Sequence, residues 1–433
     1  MNTYLEEARQ LPITNEVDVI VVGGGPAGIG AALSSARLGM KTLLVEQAGD
    51  VGGVATTGLM SHWTGDTAGG LYEEILEQSL QEGQKDRHTI DPEHLKTTLM
   101  SMLLKEHVII RTYTFACRPI MEGNQVKGLI TESKSGREAL LAKVIIDCSG
   151  DGDIAAQAGV PYHKGRETDG KMQPVTLMFK VAGVHENNPD LVLPATFESN
   201  PETPLGPIQD LGKAHLKSPI GHVLLYPSTI PGVITVNMTN VLDIDGTNAE
   251  ELSKAHYLCR QQMEPIRDFL RAFVPGFEDC YIISSASILG VRETRHFQGE
   301  QTLTAEDILQ ARVFDDWAVT HAHFAFDVHN ISGRGLDETG CQAKFPQNKT
   351  YTIPYGCLVP KNVNGLLLAG RNISGTHMAH SSYRVMPICV NLGQAAGTAA
   401  AIAIQNDQDV RNISVSKLQE ILLQNGVLWP ENE

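Results

Sequence analysis

Apolar residues run without interruption through Val19, Ile20, Val21 and Val22, and again through Leu43, Leu44 and Val45. Such runs suit strands of a parallel sheet buried on both faces. Between them lie Gly23, Gly25 and Gly28, then a stretch with helical spacing, so Val17 to Glu46 (VDVIVVGGGPAGIGAALSSARLGMKTLLVE) reads as strand, glycine turn, helix, strand. Further on, the spacing predicts helices over Leu71–Leu80 and Pro92–Leu104, the second capped by Asp91. Alternating segments at Val108–Tyr113, Phe115–Met121, Gln125–Thr131 and Leu140–Asp147 predict a small β meander. From about Tyr162 to Gln209 the pattern weakens among prolines. It returns with strands at His222–Tyr226 and Val233–Met238 and a helix over Ala249–Phe273. Near the end, Gly365–Ala369 reads as a short strand, and a helix begins near Pro387 whose Gly393, Ala396, Gly397 and Ala400 permit close backbone packing.

This order predicts an α/β fold: a Rossmann-like domain from residues 1–165 and 341–433, interrupted by an α+β substrate or cap domain over 166–340. At 433 residues, two domains are expected. With 42% hydrophobic and 19% charged residues the composition is that of a soluble globular chain. A net charge of −16 offers nothing to nucleic acid or an anionic membrane, which argues against an RNA-modifying role. The first residues lack the basic start and apolar run of a signal peptide, and no later span looks long enough for a membrane. A cytoplasmic location is therefore expected. The seven cysteines are scattered with no CxxC pair, so neither a redox disulfide nor an iron–sulfur cluster is expected.

The chemistry begins at the glycine turn. Gly23 permits the tight turn, Gly25 lets backbone approach a pyrophosphate, Gly28 lets the helix pack on the strand, and the helix N-terminus faces the phosphates. Glu46, at the end of the second strand, is placed to accept hydrogen bonds from ribose hydroxyls. The glycine-rich stretch that follows suits a loop wrapped on a bulky cofactor, with Gly52 and Gly53 allowing close approach and His62 and Trp63 as candidate lining residues. The turn Ser149-Gly150-Asp151-Gly152 is a second candidate contact, since it ends an apolar strand. In GVRETR, Arg292 and Arg295 are expected to share a strand, and one of them could hold a substrate carboxylate; ion pairing is the alternative. The segment HAHFAFDVHN gathers His321, His323, Asp327 and His329, but lacks a clear third ligand, and no metal is expected.

Taken jointly, DVIVVGGGPAGIGAA with Glu46, VGGVATTG, IDCSGDGD, GVRETR, IPYGCLVPK, LLLAGRNIS and RVMPICVNLGQAAGTAAA resemble the FAD-dependent oxidoreductases. The wider superfamily of these enzymes includes the flavoprotein subunits of fumarate reductase and succinate dehydrogenase. The resemblance implies a GR2-type domain holding extended FAD, with ADP at the N-terminal motif and the isoalloxazine under the C-terminal helix. The FAD contacts it implies include Pro26, Ala27, Gln47, Val54, Ala55, Gly370, Arg371, Met386, Gly393, Gln394 and Ala395. Arg384 occupies a place similar to an arginine that binds substrate carboxylate in the fumarate reductases, and His377 and His380 are candidates for proton transfer. Counting from Glu46, Val54 stands nearest the histidine that carries covalent flavin in succinate dehydrogenase, so the FAD is expected to be non-covalent.

With one dinucleotide motif and no second, the electron donor or acceptor is O₂, a quinone, a carrier protein or a transiently bound pyridine nucleotide. The expected activity is hydride transfer between a small polar, anionic metabolite and flavin N5. The alternative is a flavoprotein whose structural or redox-sensing FAD acts through a protein partner. Whether the chain forms a homo-oligomer is left open.

Overall fold

The computed structural model describes residues 3–337 and 349–430. Cys341 and the expected domain boundary between residues 340 and 341 lie outside the described residues. The main sheet has the order β3-β2-β1-β6-β5-β4, with β1 Ile13–Val22, β2 Thr42–Val45, β3 Ile109–Arg111, β4 Thr114–Glu122, β5 Gln125–Ser133 and β6 Gly136–Asp147. Strand β1 pairs in parallel with both β2 and β6, and its apolar run Val19 to Val22 is buried on both faces, as that position requires.

Strand β6 does two jobs. Its first half pairs antiparallel with β5, while Ile145, Ile146 and Asp147 pair in parallel with Leu366–Leu368. The last strand of the expected meander is thereby a central strand of the parallel sheet. The segment expected to begin that meander is shorter than predicted and is not part of it. Ile109–Arg111 is the parallel edge strand beside β2, a long-range pairing that local alternation does not encode.

Helix α1, Pro26–Arg37, and the Met386–Gln405 helix pack backbone to backbone. A Cβ on Gly30 would lie 2.1 Å from the Val390 carbonyl oxygen, and one on Gly393 would lie 1.9 Å from that of Ala27. By length and composition the Met386–Gln405 helix is apolar enough to cross a membrane, although Asn391, Gln394 and Thr398 interrupt its apolar run. Its burial within the first hydrophobic core accounts for that composition.

A second core runs from Val175 to Ala286. Its four-stranded antiparallel sheet takes the order Leu225–Pro227, Ile234–Val236, Phe179–Ala182, Tyr281–Ser285. The Ala249–Phe273 helix covers it. Asn248 caps that helix by accepting from the amides of Glu250 and Glu251, and Ala255, Cys259, Met263, Ile266, Phe269 and Leu270 form its buried stripe. Phe297 through Phe326 return to the first core, where Trp317–Ala322 pairs with Tyr351–Pro354.

Candidate active site

A cavity of about 820 Å³ opens at the C-terminal ends of β1, β2 and β6 and extends to the second unit. Ligands of open α/β sheets bind outside such strand ends. At its sheet end the walls are Gly23, Gly25, Pro26, Ala27, Glu46 and Gln47, with Gly53 and Val54 from the long loop and Ser149, Gly150 and Asp151 from the turn after β6. Gly370, Arg371 and Met386 line it as well.

Local geometry explains the glycines. Gly23 has φ +96°, and a Cβ there would lie 2.5 Å from the Cys148 carbonyl oxygen. Around a Cβ placed on Gly25 there is, beyond its immediate chain neighbours, no atom of the described residues within 4 Å, so this backbone is open to the cavity. No side chain caps α1 or the Met386–Gln405 helix, both N-termini line the cavity, and neither has an acidic residue in its first turn. Two uncapped helix ends suit two regions of negative charge on one ligand. Glu46 accepts from the Gly24 amide at 2.6 Å and from the Ala48 amide at 2.7 Å, tying the glycine turn to the end of β2.

Several residues expected at the cofactor do not line the cavity. Gly28 lies behind the turn, where a Cβ would be 1.8 Å from the Gly23 carbonyl oxygen. The Gly52 amide donates to the Gly24 carbonyl, and Ala55 is buried in the core. Gly393 is a helix-packing glycine, the Gln394 side chain accepts from the Leu71 amide, and Ala395 is core. His62 and Trp63 are also elsewhere: His62 stacks at a tilt on Tyr226, and Trp63 packs edge-on to Tyr72. All are close in sequence to true lining residues, which is why sequence proximity pointed to them.

At the far end Arg292, Asp327, His329 and Arg384 line the cavity together. Arg384 sits between the His377–Tyr383 helix and the Met386–Gln405 helix, and its Nη2 donates to Asp327 Oδ2 at 2.9 Å and to the Asp327 carbonyl at 3.0 Å. Arg292 is held by its Nη1 donating to the Pro174 carbonyl at 2.6 Å. Burial, with the charge of Arg384, pushes Arg292 down to about 10, which leaves it cationic at neutral pH. Burial alone would raise Asp327, but His329, Arg384 and Arg292 outweigh it and hold the carboxyl well below the usual range. Two cations thus face one carboxylate. Two buried atoms in this group, Asp327 Oδ1 and Arg384 Nε, have no hydrogen-bond partner among the described residues, and buried polar atoms usually have one.

His329 is pushed down to about 4 by burial and the charge of Arg292, against the opposite pull of Asp327. A histidine held neutral in the fold but protonated at its ordinary value when unfolded favours the unfolded chain as pH falls. Its contribution to stability is complete above about pH 6.5 and is lost as pH falls towards 4. Chemical denaturation of His329→Gln should therefore show a shallower loss of stability than the parent between those values; an unchanged slope would contradict the assignment.

The other expected catalytic residues are placed differently. Arg295 does not share a strand with Arg292; it belongs to the Arg295–Phe297 strand, while Arg292 is in irregular backbone. Its Nη1 donates to the Asp151 carbonyl and to Asp153, bracing the turn from outside. His377 is buried against Glu293, with Nδ1 2.5 Å from Oε1. His380 packs edge-on against His296 and Tyr383, and burial drives it well below the ordinary histidine value. Neither histidine lines the cavity. Asp327 and His329 were visible in HAHFAFDVHN, but as metal candidates rather than as the partner and neighbour of Arg384.

The family model described as FAD dependent oxidoreductase matches residues 18–422. The chain belongs to that family. FAD is accordingly its cofactor and the protein is an FAD-dependent oxidoreductase, and the open backbone at Gly25 and the two uncapped helix ends fit that ligand. The chain is 26% identical to a digeranylgeranylglycerophospholipid reductase of Picrophilus torridus over 154 residues, 31% of this chain and 39% of that one. A dihydrolipoyl dehydrogenase of Trypanosoma brucei brucei is 56% identical over 45 residues, 10% of this chain and 9% of the relative. These matches thus span well under half of either relative. Among solved structures, a geranylgeranyl bacteriochlorophyll reductase-like protein from Thermoplasma acidophilum superimposes with a TM-score of 0.48 at 15% identity, covering 95% of this chain and 84% of that one.

Replacement of Glu46 by alanine should weaken FAD binding about 10- to 100-fold, the equivalent of one or two charge-assisted hydrogen bonds. Flavin released on gel filtration measures this, and a fully loaded yellow variant would refute it.

Proposed function

We propose that this oxidoreductase moves a hydride between a small anionic metabolite and FAD, and that its relationship within the family lies towards the fumarate reductase and succinate dehydrogenase flavoproteins. The observation that carries the substrate reading is the excess positive charge of Arg292 and Arg384 over Asp327 in the wall of the same cavity that the glycine turn lines. Bound FAD supplies the hydride acceptor or donor at N5. The chain's own residues bind and orient. Arg292 and Arg384 hold the substrate anion, Asp327 fixes the Arg384 guanidinium, and neutral His329 accepts the proton that the substrate gives up on oxidation, the imidazolium so formed returning it in the reverse direction. The N-terminus of the Met386–Gln405 helix favours negative charge developing beside it.

Anaerobic mixing with a panel of small carboxylates and matched neutral analogues tests this reading through loss of the yellow flavin absorbance. Reduction, or reoxidation of pre-reduced enzyme, by an anionic compound and not by its neutral amide is expected. Exclusive response to neutral compounds would refute anion binding. If no compound changes the flavin in either direction, the alternative of a structural or redox-sensing FAD gains.

A further inference from the structure

Behind the cavity, and outside its lining, Glu293, His296 and His377 converge with side chains 0%, 1% and 4% exposed. Glu293 Oε1 lies 2.8 Å from His296 Nε2 and 2.5 Å from His377 Nδ1, and all three atoms are within 4.8 Å of one another. The outward-facing atoms are already engaged. Glu293 Oε2 accepts from the Gln173 amide at 3.0 Å, and His296 Nδ1 is 3.1 Å from the Gly375 carbonyl oxygen.

The proton accounting at His296 is decisive. A carbonyl oxygen only accepts, so Nδ1 must carry the hydrogen; in a neutral imidazole Nε2 then presents a lone pair. That lone pair would face a carboxylate oxygen at 2.8 Å. Such an arrangement requires either a proton between the two atoms, carried by His296 or by the Glu293 carboxyl, or a metal ion. Two imidazole nitrogens and one carboxylate oxygen are a donor set for borderline first-row dications. A histidine whose other ring nitrogen donates to a backbone carbonyl is also the usual outer shell of a metal ligand.

We propose that Glu293 Oε1, His296 Nε2 and His377 Nδ1 form a binding site for a divalent transition-metal ion of the Zn²⁺ class, with a fourth position for water. At metal–ligand distances of about 2.0–2.2 Å, tetrahedral donors stand about 3.3–3.6 Å apart, so the separations of 2.8 and 2.5 Å widen by about 0.5–1.1 Å when the ion enters. Entry is from the side of His163 and Glu167. The His163 ring stacks on His296 at 5.0 Å, Glu167 accepts from the His377 amide at 2.9 Å, and both side chains are nearly half exposed. The knot is therefore one layer below solvent.

The FAD-loaded full chain, stripped with a chelator and dialysed, is titrated with Zn²⁺ alone and then, separately, with Co²⁺. The expected results are about one bound Zn²⁺ per chain after gel filtration, a higher thermal midpoint, and visible Co²⁺ d–d bands typical of tetrahedral nitrogen and oxygen ligation. Glu293→Gln and His296→Gln, judged folded by retained flavin absorbance, should lose the bound ion. Less than about one tenth of an equivalent in the parent chain, or equal binding in parent and folded variants, would overturn the site and leave a proton between His296 and Glu293 holding the knot. If neither variant loads FAD, the Co²⁺ spectrum of the parent decides: bands of octahedral all-oxygen ligation, or none, overturn it.

Discussion

Gly28→Ala should purify colourless and less stable than the parent, whereas Gly25→Ala should keep its stability and bind FAD weakly. The two glycines are three residues apart, but an added methyl meets different surroundings at each. At Gly28 the Cβ would lie 1.8 Å from the Gly23 carbonyl oxygen and 2.9 Å from its carbon, both backbone atoms that cannot rotate away. Either α1 moves off β1 or the turn opens, and Gly23 is itself pinned, with its own Cβ position 2.5 Å from the Cys148 carbonyl oxygen. Overpacking of this kind costs about 1–3 kcal/mol or more, and it displaces the helix end that faces the phosphates. A loss of FAD affinity of at least about 100-fold is expected, equivalent to about 2.7 kcal/mol. At Gly25, φ is −72°, which any residue adopts, and beyond its immediate chain neighbours no atom of the described residues lies within 4 Å of the added carbon. There the methyl obstructs only the ligand. Flavin-to-protein absorbance after gel filtration and thermal midpoints separate the two outcomes. A fully loaded Gly28→Ala, or a Gly25→Ala that loses stability without losing FAD, would contradict this account.

Arg384→Met should retain FAD and lose about 10- to 150-fold in kcat/KM for the anionic substrate. Two losses combine. The substrate loses a charge-assisted partner in a buried site, which for hydrogen bonds to charged groups is about 1.5–3 kcal/mol, each 1.36 kcal/mol being tenfold in rate. Asp327 also loses the partner that donates to it at 2.9 Å, and breaking a buried pair on one side costs about 3–5 kcal/mol of stability. Pairing the change with Asp327→Asn removes the stranded carboxylate, so the double variant should recover stability without recovering turnover. That divergence separates a binding role from a packing role. Unchanged kcat/KM in Arg384→Met would remove this residue from the substrate site.

The parts of this protein that were legible in its sequence are those whose determinants are local. The run β1–turn–α1–β2–Glu46 follows from an apolar burst, glycines and a terminal acid within thirty residues, and the structure puts Gly23, Gly25 and Glu46 on the cavity wall. The Ala249–Phe273 helix has the bounds its spacing predicts, because its cap and buried stripe are both written in adjacent turns. The errors involve partners far away in the chain. Ile109–Arg111 looked like part of a meander until it paired with β2. Arg292 and Arg295, three residues apart, diverge because one meets Pro174 in the second unit and the other meets Asp151 and Asp153.

The histidines illustrate the same limit. His377 and His380 stand close to Arg384 in sequence, yet burial against Glu293, His296 and Tyr383 keeps them out of the cavity. His329, over fifty residues upstream, lines it. By itself the sequence determined the cofactor class and the strand–turn–helix that holds its phosphate end, since backbone conformation and helix polarity are set within a few residues. Only the tertiary structure decided which charges share one stretch of the cavity wall. Coulombic and hydrogen-bond partners there come from Arg292, Asp327, His329 and Arg384, which are brought together by packing rather than by spacing.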